Sequence, residues 1–203
     1  MEKLILASAS PRRRELLEAA GIPHTVFKMD IDETPDVSRY VSGAGVPFPE
    51  WYTRECALVK LRAAADLIYK SGDRPVIVTA DTVVSPDGER IFGKPEDAAD
   101  AARMLRELSG TDHTVVGGIC VTDGAKTLVS SVTTHVRFKE LTDREIGAYV
   151  ESGEPFGKAG AYAIQGKASL FVESVNGDYA NIVGISVFEL RRMLAELGHD
   201  PIQ

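Results

Sequence analysis

The chain has 203 residues, of which 44% are hydrophobic, and a formal net charge of −7 at pH 7. A chain of this length can bury one sizeable core, either as one domain or as one domain with two lobes. The acidic balance argues against general nucleic-acid and membrane-surface binders, which reach phosphate groups through positive charge, and no apolar stretch approaches the roughly 18 residues of a membrane span.

The amino-terminal stretch predicts a buried strand, a tight turn and a helix. The apolar run 4–7 is typical of a short strand. Ser10 is suited to cap the helix, Pro11 to occupy its first position and Gly21 to end it. The apolar run is too short for the core of a signal peptide.

Three arginines, 12–14, fall in the first turn of that helix. A helix amino terminus carries free N–H groups and partial positive charge, so further cations are unfavourable there unless an anion binds. Two interpretations remain open, namely an exposed basic turn and a phosphate site. On an acidic chain, this local cluster suits a small anionic ligand better than a polyanion.

The next segments contain one lysine in an unusual position. A strand at 25–28 leads into an acidic segment, an irregular loop follows at 38–49, and a helix is predicted at 50–70. Lys60 lies about 60° from the centre of the apolar stripe of this helix. Its side chain either reaches from the edge of the core to solvent or points into a cleft.

A single carboxylate interrupts the strongest strand pattern in the chain. Residues 75–84 are otherwise apolar, β-branched or small, and Asp81 carries the one charge among them. A buried carboxylate is costly unless it is paired, hydrogen-bonded or bound to a metal. Either the strand ends at Ala80 and Asp81 caps a turn, or Asp81 is a functional group.

The remaining elements alternate in a way that indicates a mixed α/β fold, with a central β-sheet flanked by helices. We expect a hairpin of 76–84 with 89–92, helices at 96–108, 142–152 and 183–197, strands at 114–122, 128–138 and 169–175, and an irregular loop at 154–166. No internal repeat or linker divides the chain, so residues 1–203 are expected to form one domain.

Several familiar kinds of site do not fit the sequence. Cys56 and Cys120 fall in predicted core positions without metal-ligand spacing; a disulfide stays open, but reduced thiols in a cytoplasmic protein are favoured. The four histidines are scattered, which argues against a zinc site. The chain lacks both the P-loop and the Gly-x-Gly-x-x-Gly dinucleotide motif.

The chemistry-bearing residues that remain suit a multiply charged phosphate chain. Lys60, Lys94 and the arginine cluster supply positive charge, while Glu33 and Asp81 supply carboxylates for a hard divalent cation. Proteins commonly hold Mg²⁺ through one or two carboxylates together with substrate phosphates.

Six linked motifs resemble the Maf family of nucleoside triphosphate pyrophosphatases, and the resemblance covers nearly the whole chain. The motifs are Ser8-x-Ser-Pro-Arg-Arg13, Ala80-Asp-Thr82, Gly93-Lys-Pro95, Met104-Leu-x-x-Leu-Ser-Gly110, Lys158-Ala-Gly-x-Tyr-x-Ile-Gln-Gly166 and Asn181-x-Val-Gly184. The resemblance implies hydrolysis of a nucleoside triphosphate to the monophosphate and pyrophosphate, with Mg²⁺ or Mn²⁺ as cofactor. It also implies a cleft between two lobes, as in the inosine triphosphatases, and a homodimer, while the acidic net charge argues against a nucleic-acid polymer or a membrane as partner.

The resemblance assigns roles to individual residues. Asp81 would accept a proton from the attacking water, and Glu33 with Asp81 would hold the metal. Arg13, Lys60 and Lys94 would neutralise the triphosphate and the leaving pyrophosphate. The further substrate-binding positions are Ser8, Ser10, Arg12, Thr82, Lys158 and Gln165.

Three of these positions relate to the base. Arg12, Thr82 and Gln165 together resemble the branch that acts on dTTP and UTP, rather than the branch that acts on 7-methyl-GTP. The Gln165 amide both donates and accepts, so it suits the carbonyl and N–H edge of a pyrimidine. There are two departures: Gly157 stands where the family often has aspartate, and the loop at 38–49 is longer than expected.

Two other functions stay open. One is a phosphatase that releases orthophosphate. The other is a nucleotide-binding regulator of cell division with little turnover. The presence of Asp81, Glu33 and both lysines weighs against the regulator, because a protein that only binds has no need of a positioned base.

Overall fold

Six β-strands form one mixed sheet in the computed structural model, which describes residues 3–29, 31, 34–43 and 45–202. The spatial order is β2-β1-β3-β4-β5-β6. The strands are β1 (Leu4–Ala7), β2 (Thr25–Phe27), β3 (Val76–Ser85), β4 (Asp112–Thr122), β5 (Thr127–Phe138) and β6 (Val172–Asn176). The predicted α/β class with a central mixed sheet is therefore confirmed.

Two kinds of strand pairing divide the sheet. Strands β2 and β3 both pair parallel to β1, whereas β3 to β6 pair antiparallel. The parallel part needs crossover connections, and helices supply them. In the antiparallel part a short turn joins only β4 to β5, and Asp123 closes it by accepting from the N–H groups of Ala125 and Lys126, while helices lie in the β3–β4 and β5–β6 connections.

Six α-helices lie within the described residues. They are α1 (Pro11–Ala19), α2 (Phe48–Ile68), α3 (Ala98–Leu108), α4 (Asp143–Glu151), α5 (Tyr179–Val183) and α6 (Val187–Glu196). At most of these helices, a side chain next to the first turn explains where the helix begins. Asp97, Asp178 and Ser186 accept backbone N–H groups as N-caps, and Thr142 with Glu145 forms the predicted capping box.

Three apolar clusters hold these layers together. Helix α2 packs on one face of the sheet through Ala57, Leu61 and Ala64. Helices α1 and α6 cover the opposite face over β1, β3 and β4. A third cluster joins α3 and α4 to the far parts of β3, β4 and β5 and to the segment 161–171. A cavity lies between these apolar clusters.

The edge of β3 is the feature of the sheet that positions this site. Strand β1 pairs with only the first three residues of β3, Val76–Val78, while β4 pairs along 77–85. Beyond 78, the edge of β3 that faces away from β4 has no strand along it among the described residues, apart from one bridge between Val84 and Phe92. Side chains on both faces of β3 can therefore reach one cavity at this edge.

Several predicted boundaries need correction. The hairpin of 76–84 with 89–92 is reduced to that one bridge. The strand predicted at 169–175 is a 3₁₀ turn, Lys167–Leu170, followed by β6 at Val172–Asn176. The helix predicted at 183–197 begins later, as α6 at Val187, because Gly184 adopts a φ of 153° and Ser186 caps the helix; the short α5 before it was not predicted.

Two further observations concern expectations from composition. Cys56 and Cys120 are both buried and carry free thiols, as favoured above. No helix in the described ranges is long and apolar enough to cross a membrane.

Candidate functional site

A cavity of about 710 Å³ opens at the free edge of β3. Its walls come from the β1–α1 turn, α2, β3, the segment 91–94, the loop 157–165 and the end of α5. Among the residues singled out from the sequence, those that line it are Ser8, Ser10, Arg12, Arg13, Lys60, Asp81, Thr82, Lys94, Lys158 and Gln165. Glu33, predicted as a metal ligand, lies outside the described residues.

The charge of the cavity wall is strongly asymmetric. Five lysine or arginine side chains and one carboxylate, Asp81, line it within the described part of the chain. The chain as a whole carries a net charge of −7, so the positive charge of the cavity wall is opposite in sign to that of the whole protein. A concave site of this kind attracts a small anion that carries several charges.

Lys60 and Asp81 form an ion pair inside the cavity. Lys60 is 5% exposed, and its Nζ lies 2.8 Å from Asp81 Oδ1 and 3.2 Å from the carbonyl oxygen of Ala80. Of the two alternatives for Lys60, the structure shows the one that points into a cleft. Asp81 lies within β3 opposite Gly118, so the strand does not end at Ala80.

Two glycines of β4 let the helices approach closely enough to build this pair. A β-carbon at Gly118 would overlap the backbone of Thr53 in α2, the helix that carries Lys60. A β-carbon at Gly117 would overlap the side chain of Asn181 in α5, on the other face. Larger residues here would push both helices away from β3 and widen the site.

The Arg13 guanidinium is held by one group from its own turn and by two from distant segments of the chain. Its Nε donates to the carbonyl oxygen of Gly184 at 2.9 Å, and its terminal nitrogens lie 3.3 Å from Ser8 Oγ and 3.4 Å from Thr82 Oγ1. Thr82 also donates to Gly184, at 3.2 Å. The carbonyl of Gly184, at the end of α5, thus fixes the Arg13 guanidinium at the cavity wall.

The other two arginines have different surroundings. Arg12 Nε donates to the carbonyl of Val183 at 3.3 Å, and burial lowers the pKa of Arg12 although the nearby Glu15 opposes this. Arg14 is exposed and pairs with Glu18 at 3.4 Å. Burial, followed by the charge of Arg12, also lowers the pKa of Lys158. The cavity therefore holds two cations that repel each other.

The turn between β1 and α1 keeps its polar groups near the cavity. Ser10 occupies the N-cap position as predicted, but its hydroxyl makes no capping hydrogen bond to the described backbone of α1. The Ser10 N–H donates instead to Ser8 Oγ at 3.2 Å. The hydroxyl of Ser10 thus stands at the cavity wall without this capping role.

The loop 157–165 closes the far side of the cavity. Gly160 N–H donates to the carbonyl of Gly93 at 3.0 Å, which joins the loop to the segment that carries Lys94. Lys94 and Gln165 are exposed at the rim. Gly157 has a φ of 74°, a conformation that glycine adopts without strain and that aspartate tolerates better than most residues. Glycine therefore fits the backbone where the family often has aspartate.

Sequence reasoning missed several residues of the cavity wall. Tyr52 and Cys56 line it, and the successive spacing of four residues from Tyr52 to Cys56 to Lys60 on α2 was a signal that could have found them. The Tyr52 ring also packs against that of Phe48, the first residue of α2, with 5.8 Å between ring centroids. The carbonyls of Val183 and Gly184 had no such signal.

The described residues suit a divalent cation only together with a ligand. No group of three or more His, Cys, Asp or Glu side chains that could hold a metal occurs among them. Asp81 supplies one carboxylate in a cavity suited to phosphates, which meets the requirement of Mg²⁺ for one or two carboxylates plus phosphate oxygens. The donor set therefore fits a metal whose remaining ligands come from a bound phosphate.

Comparison with known proteins gives a consistent result. The Maf-like protein family model matches residues 3–197. A dTTP/UTP pyrophosphatase from Chromobacterium violaceum is 46% identical over 98% of this chain and 96% of its own length. A dTTP/UTP pyrophosphatase from Alkaliphilus oremlandii is 44% identical over 94% and 93%. A HAM1 protein structure from Coxiella burnetii aligns at a TM-score of 0.44 and 15% identity, over 68% of this chain and 73% of that one, too partial to carry a conclusion.

Proposed function

The chain belongs to the Maf-like protein family, and from this premise we propose that it is a nucleoside triphosphate pyrophosphatase that acts on dTTP and UTP. The relatives at 46% and 44% identity carry that name and align along nearly their full length. The observation that carries the proposal is the Lys60–Asp81 pair, 2.8 Å apart, in a cavity lined by five cationic side chains.

The proposed reaction cleaves the bond between the α-phosphorus and the α–β bridging oxygen. A water oxygen bonds to the α-phosphorus, its proton passes to the Asp81 carboxylate, and pyrophosphate leaves with the electron pair of the broken bond. Lys60 keeps the carboxylate oriented and balances its charge. Arg13, Lys60 and Lys94 stabilise the negative charge that the leaving group gains, which is the largest electrostatic demand of the transition state.

A divalent metal, Mg²⁺ or Mn²⁺, is part of this proposal. Asp81, with Glu33 as the second predicted ligand, would hold it. When bound, the metal would neutralise phosphate charge and polarise the phosphoryl oxygens.

The base is proposed to contact Arg12, Thr82 and Gln165. All three line the cavity. The Thr82 hydroxyl already donates to Gly184 and accepts from Arg13. Thr82 would therefore contact the base through its methyl group, as a fixed part of the cavity wall. Gln165 is exposed, and its amide remains available to a pyrimidine edge. A homodimer, implied by the resemblance, and a cytoplasmic location, favoured by the reduced cysteines, stay predictions.

The test is to incubate purified protein with Mg²⁺ or Mn²⁺ and a panel of nucleoside triphosphates, with separate assays for pyrophosphate and orthophosphate. We expect pyrophosphate in equal amount with dTMP or UMP. Release of orthophosphate alone would identify the phosphatase alternative. Tight binding without either product would identify the regulator alternative.

A further inference from the structure

Gln165 lies at the tip of a short loop whose two ends are tied to two side chains. On one side, the N–H of Ala163 donates to the Tyr149 hydroxyl at 3.2 Å. On the other, the N–H groups of Lys167 and Ala168 donate to the Glu154 carboxylate at 3.0 and 3.4 Å. The loop that presents Gln165 is thus fastened at both ends.

The two anchoring side chains are bonded to each other. The Tyr149 hydroxyl donates to Glu154 Oε1 at 2.9 Å. Tyr149 is 2% exposed, and burial raises its pKa, so its hydroxyl stays a neutral donor. Burial opposes ionisation of Glu154, but hydrogen bonds from Lys167, Tyr149 and Ala168 lower its pKa overall and keep it a carboxylate acceptor. The pair is a fixed unit at neutral pH.

The Gln165 side chain itself is exposed and forms no hydrogen bond with the described residues. Its neighbours are held as well, because Ile164 is buried in the apolar cluster of α3 and α4 and the Gly166 N–H donates to the carbonyl of Ala163 at 3.0 Å. The backbone four residues before Gln165 is strained, because Ala161 is a non-glycine residue with a φ of 61°. Such a conformation is unfavourable and persists only where the surroundings hold it.

The backbone of the loop at Gly166 also packs closely against the Glu154 side chain. A β-carbon at Gly166, the residue after Gln165, would overlap the Glu154 carboxylate. Neither Tyr149 nor Glu154 is among the described residues that line the cavity. They are therefore placed to act on the site through the loop and not by touching a ligand.

We propose that Tyr149 and Glu154 are positioning residues that set the base selectivity of the site by fixing the loop that carries Gln165. This inference rests on the proposed function, because it concerns how that site selects its nucleotide. It adds two residues from a helix and a loop that the sequence analysis left without a role.

The test is a double-mutant cycle that joins Tyr149→Phe with Gln165→Ala. The measured quantity is the ratio of kcat/KM for dTTP to kcat/KM for dATP. Tyr149→Phe keeps the buried ring and removes the hydroxyl, so the ratio should fall ~5-fold, the effect of one ordinary hydrogen bond. In the Gln165→Ala background, the same change should alter the ratio less than about twofold, because the residue it positions is gone.

Tyr69→Phe is the matched control. The Tyr69 hydroxyl also donates one hydrogen bond, to the carbonyl of Pro75, but Tyr69 packs on the apolar cluster of α2 and not on that of the loop, so its removal should leave the selectivity ratio unchanged. If Tyr149→Phe does not fold, Glu154→Gln replaces it in the cycle, since it keeps the shape of the side chain and weakens the same bonds. Thermal unfolding of each variant separates loss of fold from loss of selectivity.

Dissociation constants for dTMP and dAMP, measured by calorimetry, give a second readout that needs no turnover. A fully additive cycle, or an unchanged ratio in a folded variant, would overturn the proposal. Absence of pyrophosphate release by the unmodified protein would instead defeat the proposed function. In that case the selectivity of dTMP over dAMP still decides whether the pair positions Gln165.

Discussion

Lys60 Nζ lies 2.8 Å from Asp81 Oδ1, with 6% and 18% of the respective side chains exposed. The pair joins the middle of α2 to the middle of β3, in the wall of a cavity that is otherwise cationic. A charged pair in such a place contributes little to stability, because desolvation offsets most of the attraction. We infer that it is kept for chemistry, and this assigns Asp81 its role as the proposed base.

Asp81→Asn should abolish most turnover and leave the protein folded. The amide has nearly the shape of the carboxylate but cannot accept the proton of the attacking water. We expect kcat to fall by at least ~100-fold, the usual range for loss of a general base. Steady-state kinetics with dTTP and circular dichroism measure the two effects, and a folded variant with near-normal kcat would end this assignment.

Gly184→Ala should weaken substrate binding through Arg13. Gly184 has a φ of 153°, and a β-carbon there would lie 3.4 Å from Arg13 Cγ. The backbone that presents its carbonyl to Arg13 would have to shift, so KM for dTTP should rise severalfold. The control is Gly198→Ala, which strains a residue with a φ of 82° where a β-carbon meets nothing within 4 Å. Equal kinetic losses in both variants would mean that general strain, and not Arg13, is responsible.

These two cases show what the sequence could and could not provide. Lys60 and Asp81 were identifiable from the sequence because each is a charged residue within an apolar pattern. Burial of an unpaired charge is costly, so such a residue indicates a special role from its sequence neighbours alone. The link from Arg13 to Gly184 spans 171 residues and uses a backbone carbonyl, which no side-chain pattern reports. The sequence predicted a continuous helix across that carbonyl, and the φ of Gly184 interrupts it.

The loop that carries Gln165 shows a similar limit. Residues 154–166 are rich in glycine and proline, so the pattern indicates an irregular loop and nothing more. Glu154 acquires its position from Tyr149 and from backbone N–H groups more than ten residues away. The strand predicted from 169 begins only at Val172, after a 3₁₀ turn at Lys167–Leu170 whose first two N–H groups donate to Glu154.

Lys158→Met should stabilise the protein and weaken its substrate binding. Burial and the charge of Arg12 lower the pKa of Lys158, so its ammonium is unfavourable in the free protein. Removal of that charge should raise the melting temperature, while KM for dTTP rises because a phosphate or base partner is lost. Differential scanning fluorimetry and kinetics measure the two effects. A variant with a lower melting temperature and unchanged KM would refute this account of the cation pair.

Acid should destabilise the protein partly through His113. Its ring is 2% exposed, packs on Phe138 with a centroid distance of 4.8 Å, and lies 3.0 Å from the Tyr162 hydroxyl. Burial lowers the pKa of His113 from 6.5 to about 4. The folded state thus binds this proton less readily than the unfolded state, so stability is retained above pH 6.5 and lost as the pH falls towards 4.

The loss attributable to this one group is ~3 kcal/mol, as 1.36 kcal/mol corresponds to each pKa unit. Urea unfolding of the unmodified protein and of His113→Phe at a series of pH values between 7 and 4 isolates it from the carboxylates. The variant should lose markedly less stability over this range. Parallel pH profiles for the two proteins would show that His113 does not titrate on unfolding.

Hydrolysis of dTTP in water enriched in ¹⁸O tests the central claim most directly, because it reports which phosphorus the water attacks. Mass spectrometry of both products locates the label after a single turnover. Attack at the α-phosphorus, with Asp81 as the base and pyrophosphate as the leaving group, places one ¹⁸O in dTMP and none in pyrophosphate. Label in pyrophosphate or in orthophosphate would contradict the account.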